Sequence, residues 1–574
     1  MQRAIEPISE TVETMRRTLL IGIGIRLALS AVICAMLITT RASAMSNSVA
    51  VLTHHNDAAR TGANLEETVL DTQNVNSNRF GRIGDRVVDD EIHAQPLIMT
   101  NVALPAKGTH NLVIVATVND SVYAFDADHV SVEKPYWHVN FLSPGVVPPR
   151  NTDMTGACDG NYVDFSGNIG IVGTPVIDPK RKTIYLVART KEHDSKFLQK
   201  LHALNLCDGS ERSGSPVTIS ARCPGNGVDS TNHTIVFEPL HHNQRTGLAL
   251  VQDLAYVSWA SHCDWGPYHG WLIGYDADGL KPVVVYNTTP DGENGGIWMS
   301  AEAPAVDGEG NLFIAIGNGS VGSTTNPRDV VNRGESLIKL RRHGKSLEVK
   351  SWFTPCNWRA LNTGDLDFGS SGVLLVPNTH LAVNGSKEGK LYVLNRDHLG
   401  GLSGATNETN VVQCFQVTST KAPNNIHCTP VYWAGPNGTF IYVWGESDYL
   451  RQYRFDSDRQ QFDVPEFAHS PTKAPTGMPG GFLSLSANRD RAGSGILWAS
   501  HPLSGDANHD VRPGILLAYD AENVGHELWN SEQVSWRDSV GNFSKFCPPT
   551  VANGKVYLAT FSKRLSIYGI LGGL

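Results

Sequence analysis

The densest run of chemically versatile side chains is SHCDWGPYHGW, Ser261 to Trp271, with two His, a Cys, an Asp, a Tyr and two Trp in eleven positions. His262, Cys263 and Asp264 are all metal-ligand types, the thiolate favouring a soft cation. The same triplet also reads as a constrained loop whose Cys263 is buried or disulfide-bonded, because no zinc motif uses adjacent H-C-D. His269 is of the type that serves as a general base. Asp365 and Asp367, at i and i+2, share one face of an extended chain and there flank a cation or act as a base; alternatively they bond backbone amides in the turn before FGSSG. Trp298 and Trp536 offer indole surface, and Arg537 and Lys545 add cationic groups, so these four form a candidate cofactor-binding set. The pairs His54-His55 and His241-His242 point to opposite sides of an extended chain, which disfavours one shared metal.

These residues need a scaffold. The chain has 574 residues, 41% hydrophobic and 18% charged, with 55 Gly and 30 Pro. That composition describes a globular chain with many tight turns between short strands. A net charge of −9 with no Lys/Arg block excludes an electrostatic nucleic-acid or anionic-membrane binder. Arg16-Arg17, the apolar run 27–40 and Ala42-Ser43-Ala44 form a signal-peptide pattern over residues 1–44, with the mature chain starting near Met45. The run is short for a membrane span, so the expected product is exported, periplasmic or secreted, with no transmembrane domain. Eight cysteines follow that segment, an even number compatible with disulfides, and Cys207 with Cys223 is the nearest local pair.

One pattern recurs: an apolar-alternating run ending in an Asp/Asn/Gly turn, as in DSVYAFDAD, HGWLIGYDADG, GKLYVLNRDH and GILLAYDAEN. Eight copies, each preceded by a β-rich run and most by a further Pro- or Gly-marked strand, with a fourth strand following, predict an all-β fold: an eight-bladed β-propeller of four-stranded antiparallel blades over residues 80–574. The last unit lacks a strand, and FGRIGDRVV (80–88) is expected to supply it and close the ring. Residues 45–79, containing THHNDAARTG, form a segment crossing the propeller, either over its loop face or into its funnel.

YAFDAD, IGYDADG and LAYDAEN, with Trp137 and Trp529, resemble the repeats of quinoprotein-like propellers. That superfamily holds the pyrroloquinoline-quinone (PQQ) alcohol dehydrogenases and a non-enzymatic outer-membrane assembly propeller. THHNDAARTG and SHCDWGPYHGW also look like stretches of an exported PQQ-like subgroup. The resemblance implies the fold and, for the enzymes, PQQ with calcium. The dehydrogenases stack their cofactor on a vicinal disulfide, which this chain lacks.

In such blades the 2–3 turns and the blade-to-blade connections open on one face. Here those segments are long (143–170, 220–246, 260–270, 317–335, 354–370, 468–481, 500–514 and 532–546), while the other face carries mostly short turns. Long loops on one rigid face make it the expected binding surface. Two functions follow. One is a PQQ/calcium-dependent dehydrogenase of alcohols or sugars. The other is a monomeric, non-catalytic scaffold for an envelope protein or glycan.

Overall fold

In the computed structural model, residues 48–193, 195–404, 408–419 and 425–572 are described. The signal-peptide reading of residues 1–44 lies outside them. No helix among the described residues is long and apolar enough to cross a membrane.

Eight antiparallel sheets follow one another along the chain as eight blades. Blade one is Leu97–Leu104, Gly108–Ala116, Ser121–Asp126 and Trp137–Asn140. Blade three is Ala249–Val251, Leu254–Ser261, Trp271–Asp276 and Pro282–Asn287. Blade eight contains Thr550–Ala552, Lys555–Ala559 and Arg564–Ile570, and Phe80–Val87 completes it by pairing antiparallel with Arg564–Ile570. The ring thus closes as the sequence predicts, and no sheet edge is left open at the join. An extra hairpin, Arg222–Pro224 with Thr234–Val236, stands on the connection between blades two and three.

The recurring Asp-Ala turn has a physical reason. Its Asp caps the turn: Asp126 Oδ1 accepts from the Asp128 amide, Asp276 Oδ1 from Gly279 and Asp520 Oδ1 from Glu522. Its Ala carbonyl accepts a hydroxyl from the preceding blade. Tyr185 OH donates to Ala277 O at 2.7 Å, Tyr442 OH to Ala521 O at 2.6 Å and Tyr557 OH to Ala127 O at 2.8 Å. The last of these spans the closure between blades eight and one. One tyrosine thus ties each of these blade pairs.

The propeller axis is filled by the N-terminal segment. Val51 exchanges backbone hydrogen bonds with Ile98, and Leu52 O, Ala58 O, Ala59 O, Thr61 O and Gly62 O accept from Ile177, Val306, Leu375, Tyr432 and Leu485. The Asn64 amide donates to Val551 O at 3.0 Å. These partners belong to the innermost strand of every blade but the third, where Gly247 lies against His54 instead. The segment is an inner belt, satisfying backbone groups that the innermost strands would otherwise leave unpaired.

Two local expectations fail. Cys207 and Cys223 are unpaired, and the disulfide is Cys158–Cys263, 105 residues apart in sequence. Proximity in sequence is a poor guide because connections from different blades meet on one face. The opposite face is also less bare than expected. The connection after Asn395 climbs the neighbouring blade, where Gly401–Leu402 pairs in parallel with Phe353 and Thr354.

Candidate functional site

A cavity of about 270 Å³ opens on the long-loop face, with residues from the connections and 2–3 turns of several blades in its wall. Trp298, Asp264, Asp365, Asp367 and Cys263, all singled out from the sequence, line it together. Arg245, Asn243, Tyr268, Asn318, Lys387 and Phe546 join them.

One wall is acidic. Asp365 and Asp367 do not share a strand: both follow a short helix, Trp358–Gly364, with Asp365 capping its C-terminus in the left-handed region at φ 51° and Asp367 preceding the next turn. Both carboxylates nevertheless converge on Lys387, whose Nζ lies 2.9 Å from Asp365 Oδ1 and 2.6 Å from Asp367 Oδ2. The second oxygen of Asp367 accepts from the Asn318 amide at 2.8 Å. That approach requires glycine at 317, since a Cβ there would stand 2.4 Å from Asp367 Oδ1. Burial opposes the charge on Lys387, but Asp367 and Asp365 together outweigh it and raise its pKa. Buried Glu335 beside them is held well above the usual carboxylate range, by burial first and the charge of Asp367 second.

Asp264 faces this wall. Its Oδ1 accepts from Tyr268 OH at 2.6 Å, while Oδ2 has no partner among the described residues. Enclosure by the cavity and the charge of Asp367 push its carboxyl up to about 6, against the Tyr268 hydrogen bond.

The other wall carries Arg245. Its guanidinium lies 4.0 Å over the Phe546 ring and has no hydrogen-bond partner among the described residues. The buried amide oxygens of Asn243 and Asn318 likewise have no partner among the described residues. Buried polar atoms are normally paired, so two such oxygens beside the half-buried Arg245 guanidinium make this cavity the candidate ligand site.

Other expected site residues lie elsewhere. Cys263 is oxidised onto Cys158, so it has no thiolate for a metal. His262 is buried with both ring nitrogens engaged, by Tyr162 OH and Arg189 at 2.7 Å each. The proposed His262-Cys263-Asp264 metal set is thereby corrected: Asp264 and the oxidised Cys263 line the cavity, and His262 does not. His269 is likewise buried between Asp229 and Thr289, a structural link rather than a base. Trp536 is 84% exposed and lies outside the cavity wall. Arg537 pairs with Asp538 at 2.6 Å and bonds the carbonyls of Ser77 and Phe80, so it secures the ring closure.

Lys545 lies beside a second chamber of about 250 Å³, which shares Asp164, Asn508 and His509 with the first. Its ammonium donates to Asp164 O, Asn508 O and Asn508 Oδ1, which leaves it no free donor. Burial lowers its pKa to about 7. Sequence reasoning missed Arg245, Asn318 and Lys387. Gly-Asn-Gly at 317–319 was the one available signal, a backbone built for close approach.

No protein-family model and no curated protein matches the chain. Among solved structures, the quinohemoprotein alcohol dehydrogenase from Comamonas testosteroni superposes with a TM-score of 0.55 at 12% identity, over 93% of this chain and 82% of that one. The quinohemoprotein alcohol dehydrogenase ADHIIG from Pseudomonas putida HK5 gives 0.54 at 12% identity, over 92% and 81%. BamB from Moraxella catarrhalis matches at only 0.33 and 12% identity, over 85% and 99%, too loosely to argue from. The chain therefore has the eight-bladed propeller fold of the PQQ alcohol dehydrogenases, and at this identity the likeness extends to the fold alone.

Proposed function

We propose that the cavity binds a planar, carboxylate-bearing quinone of the PQQ kind, and that the protein is an exported oxidoreductase of a hydroxyl compound. The observation that carries this reading is the unpaired Arg245 guanidinium on the same cavity as the Trp298 indole. A guanidinium fork suits a carboxylate, and an indole suits a flat ring. The donor chemistry also fits calcium. The unpaired amide oxygens of Asn243 and Asn318 are ligands of the kind a hard cation requires, whereas both oxygens of Asp367 are held by Lys387 and the Asn318 amide, so calcium would have to displace that ammonium to use it. No three His, Cys, Asp or Glu side chains gather as a metal site among the described residues, so the amides have to complete the set.

When bound, the quinone supplies the hydride acceptor. The chain supplies the rest. Arg245 and Trp298 orient the ring, and Lys387 holds Asp367 in place at 2.6 Å. Asp264, with one free oxygen and a carboxyl near 6, takes the hydroxyl proton.

The second chamber favours an alcohol with an apolar arm over a sugar. Its wall carries Val163, Phe165, Ala507, Val511 and Phe561, apolar surface for such an arm, beside the exposed His509 and Asp510. Asn508 and Lys545 are committed to each other. The Cys158–Cys263 disulfide supports export to an oxidising compartment. The test is purified protein with PQQ and calcium, read by absorbance, thermal stability and dye-linked oxidation of alcohols and sugars. Dye reduction with apolar alcohols is expected. No cofactor spectrum, no stabilisation and no dye reduction would overturn the reading.

A further inference from the structure

Beneath the cavity floor lies a titratable pair that the reading above does not use. His427 is fully buried, with its ring 5.6 Å from that of Trp298 and 5.8 Å from that of Phe546, both cavity residues. Its Nε2 lies 2.8 Å from Glu446 Oε1, and Glu446 is buried too. Its Nδ1 lies 3.2 Å from Ser300 Oγ, and Ser300 Oγ lies 2.6 Å from the Ser370 carbonyl oxygen.

Counting hydrogens settles the state of the pair. The Ser370 carbonyl has no hydrogen to give, so the Ser300 hydroxyl proton points at it. Ser300 Oγ then only accepts from His427, which places a proton on Nδ1. The Nε2–Oε1 contact needs a second proton, on nitrogen or on oxygen. A neutral imidazole beside an ionised carboxylate holds only one. We propose that His427 and Glu446 together hold one additional buried proton beneath Trp298, and that His427 is a positioning residue for that indole.

The pair is neutral overall, which is what its burial demands. Lys387 Nζ stands 5.5 Å from the Trp298 ring centroid, so the indole lies near both an ammonium and the pair that holds the extra proton. The other charged groups nearby are Arg245 over Phe546, and Glu302 with His54 and His55, which share a void of about 10 Å³ with Ser300 and His427. The coupling to a bound ring rests on the proposed function; the proton count does not.

Glu446→Gln tests this, because the amide preserves the hydrogen bond to Nε2 while removing the extra proton. In ligand-free protein at pH 8, the His427 ring nitrogens, assigned with His427→Gln, are expected to be both protonated, or else Glu446 shows a carboxylic-acid infrared band. Either signature should vanish in Glu446→Gln. Trp298 emission, obtained by difference from Trp298→Phe, should brighten in that variant as the protonated ring that quenches it is lost. PQQ affinity should fall about threefold or more. A singly protonated ring with an ionised Glu446 overturns the proposal; where both ring nitrogens are found protonated, unchanged Trp298 emission in Glu446→Gln overturns it too. If PQQ fails to bind the unaltered protein, the proposed function falls, and the ring-nitrogen and carboxyl signatures still decide this inference.

Discussion

Lys387→Met isolates the acidic wall of the cavity. Lys387 and Asp367 are 11% and 8% exposed at their side chains, whereas Asp365 is 65% exposed. Removing the ammonium leaves Asp367 buried, unpaired and close to Asp264 and Glu335. Breaking a buried pair in this way costs about 3–5 kcal/mol. Unfolding entropy of roughly 2 cal/mol/K per residue comes to about 1 kcal/mol/K for a chain of this size, so the melting temperature should drop by ~3–5 °C at pH 7. The loss must depend on pH. With the ammonium gone, Asp367 faces Asp264, whose carboxyl is already pushed up to about 6 by desolvation and by the charge of Asp367; at pH 7 Asp264 is ionised and repels Asp367, while at pH 5 the native state binds that proton and the repulsion fades. The deficit should therefore shrink at pH 5. Asp365→Asn, at an exposed carboxylate, should cost under about 1 kcal/mol. Lys387→Met combined with Asp367→Asn should recover most of the loss. Scanning calorimetry at both pH values reads all four proteins. A single variant within about 1 °C of the parent at pH 7, or a deficit that stays constant in acid, would refute the reasoning.

Three further outcomes follow from the same structure. Tyr557→Phe leaves the buried Ala127 carbonyl unsatisfied across the ring closure and should destabilise by about 1–3 kcal/mol in thermal unfolding. Cys263→Ser should cost about 2–5 kcal/mol, while metal content by elemental analysis stays that of the parent, because Cys263 is bonded to Cys158. Oxidation rates should fall as pH drops below about 6, where Asp264 becomes protonated, and Asp264→Asn should flatten that acid limb.

The fold was largely legible because blade architecture is written in local alternation and turn chemistry. The Asp-Ala turns, the Pro-marked inner strands and the orphan strand at 80–88 each announce their place in the ring. The site was legible only where residue type and loop face sufficed: Trp298, Asp264, Asp365 and Asp367 meet as their loops suggest. Arg245 and Lys387 carry no local signal, and Asn318 only its flanking glycines, because what distinguishes them is a partner, or the lack of one, brought in from another blade. The histidines of SHCDWGPYHGW misled for the converse reason. His262 and His269 look reactive in sequence, but Tyr162, Arg189, Asp229 and Thr289 satisfy them from distant segments.

Titration of PQQ with calcium into the purified protein, read by absorbance and calorimetry beside Arg245→Met, tests the central claim most directly. One saturable site per chain is expected, weakened about 10- to 100-fold in the variant, as loss of charge-assisted hydrogen bonds worth roughly 1.5–3 kcal/mol requires. No binding, or equal binding by both proteins, would contradict it.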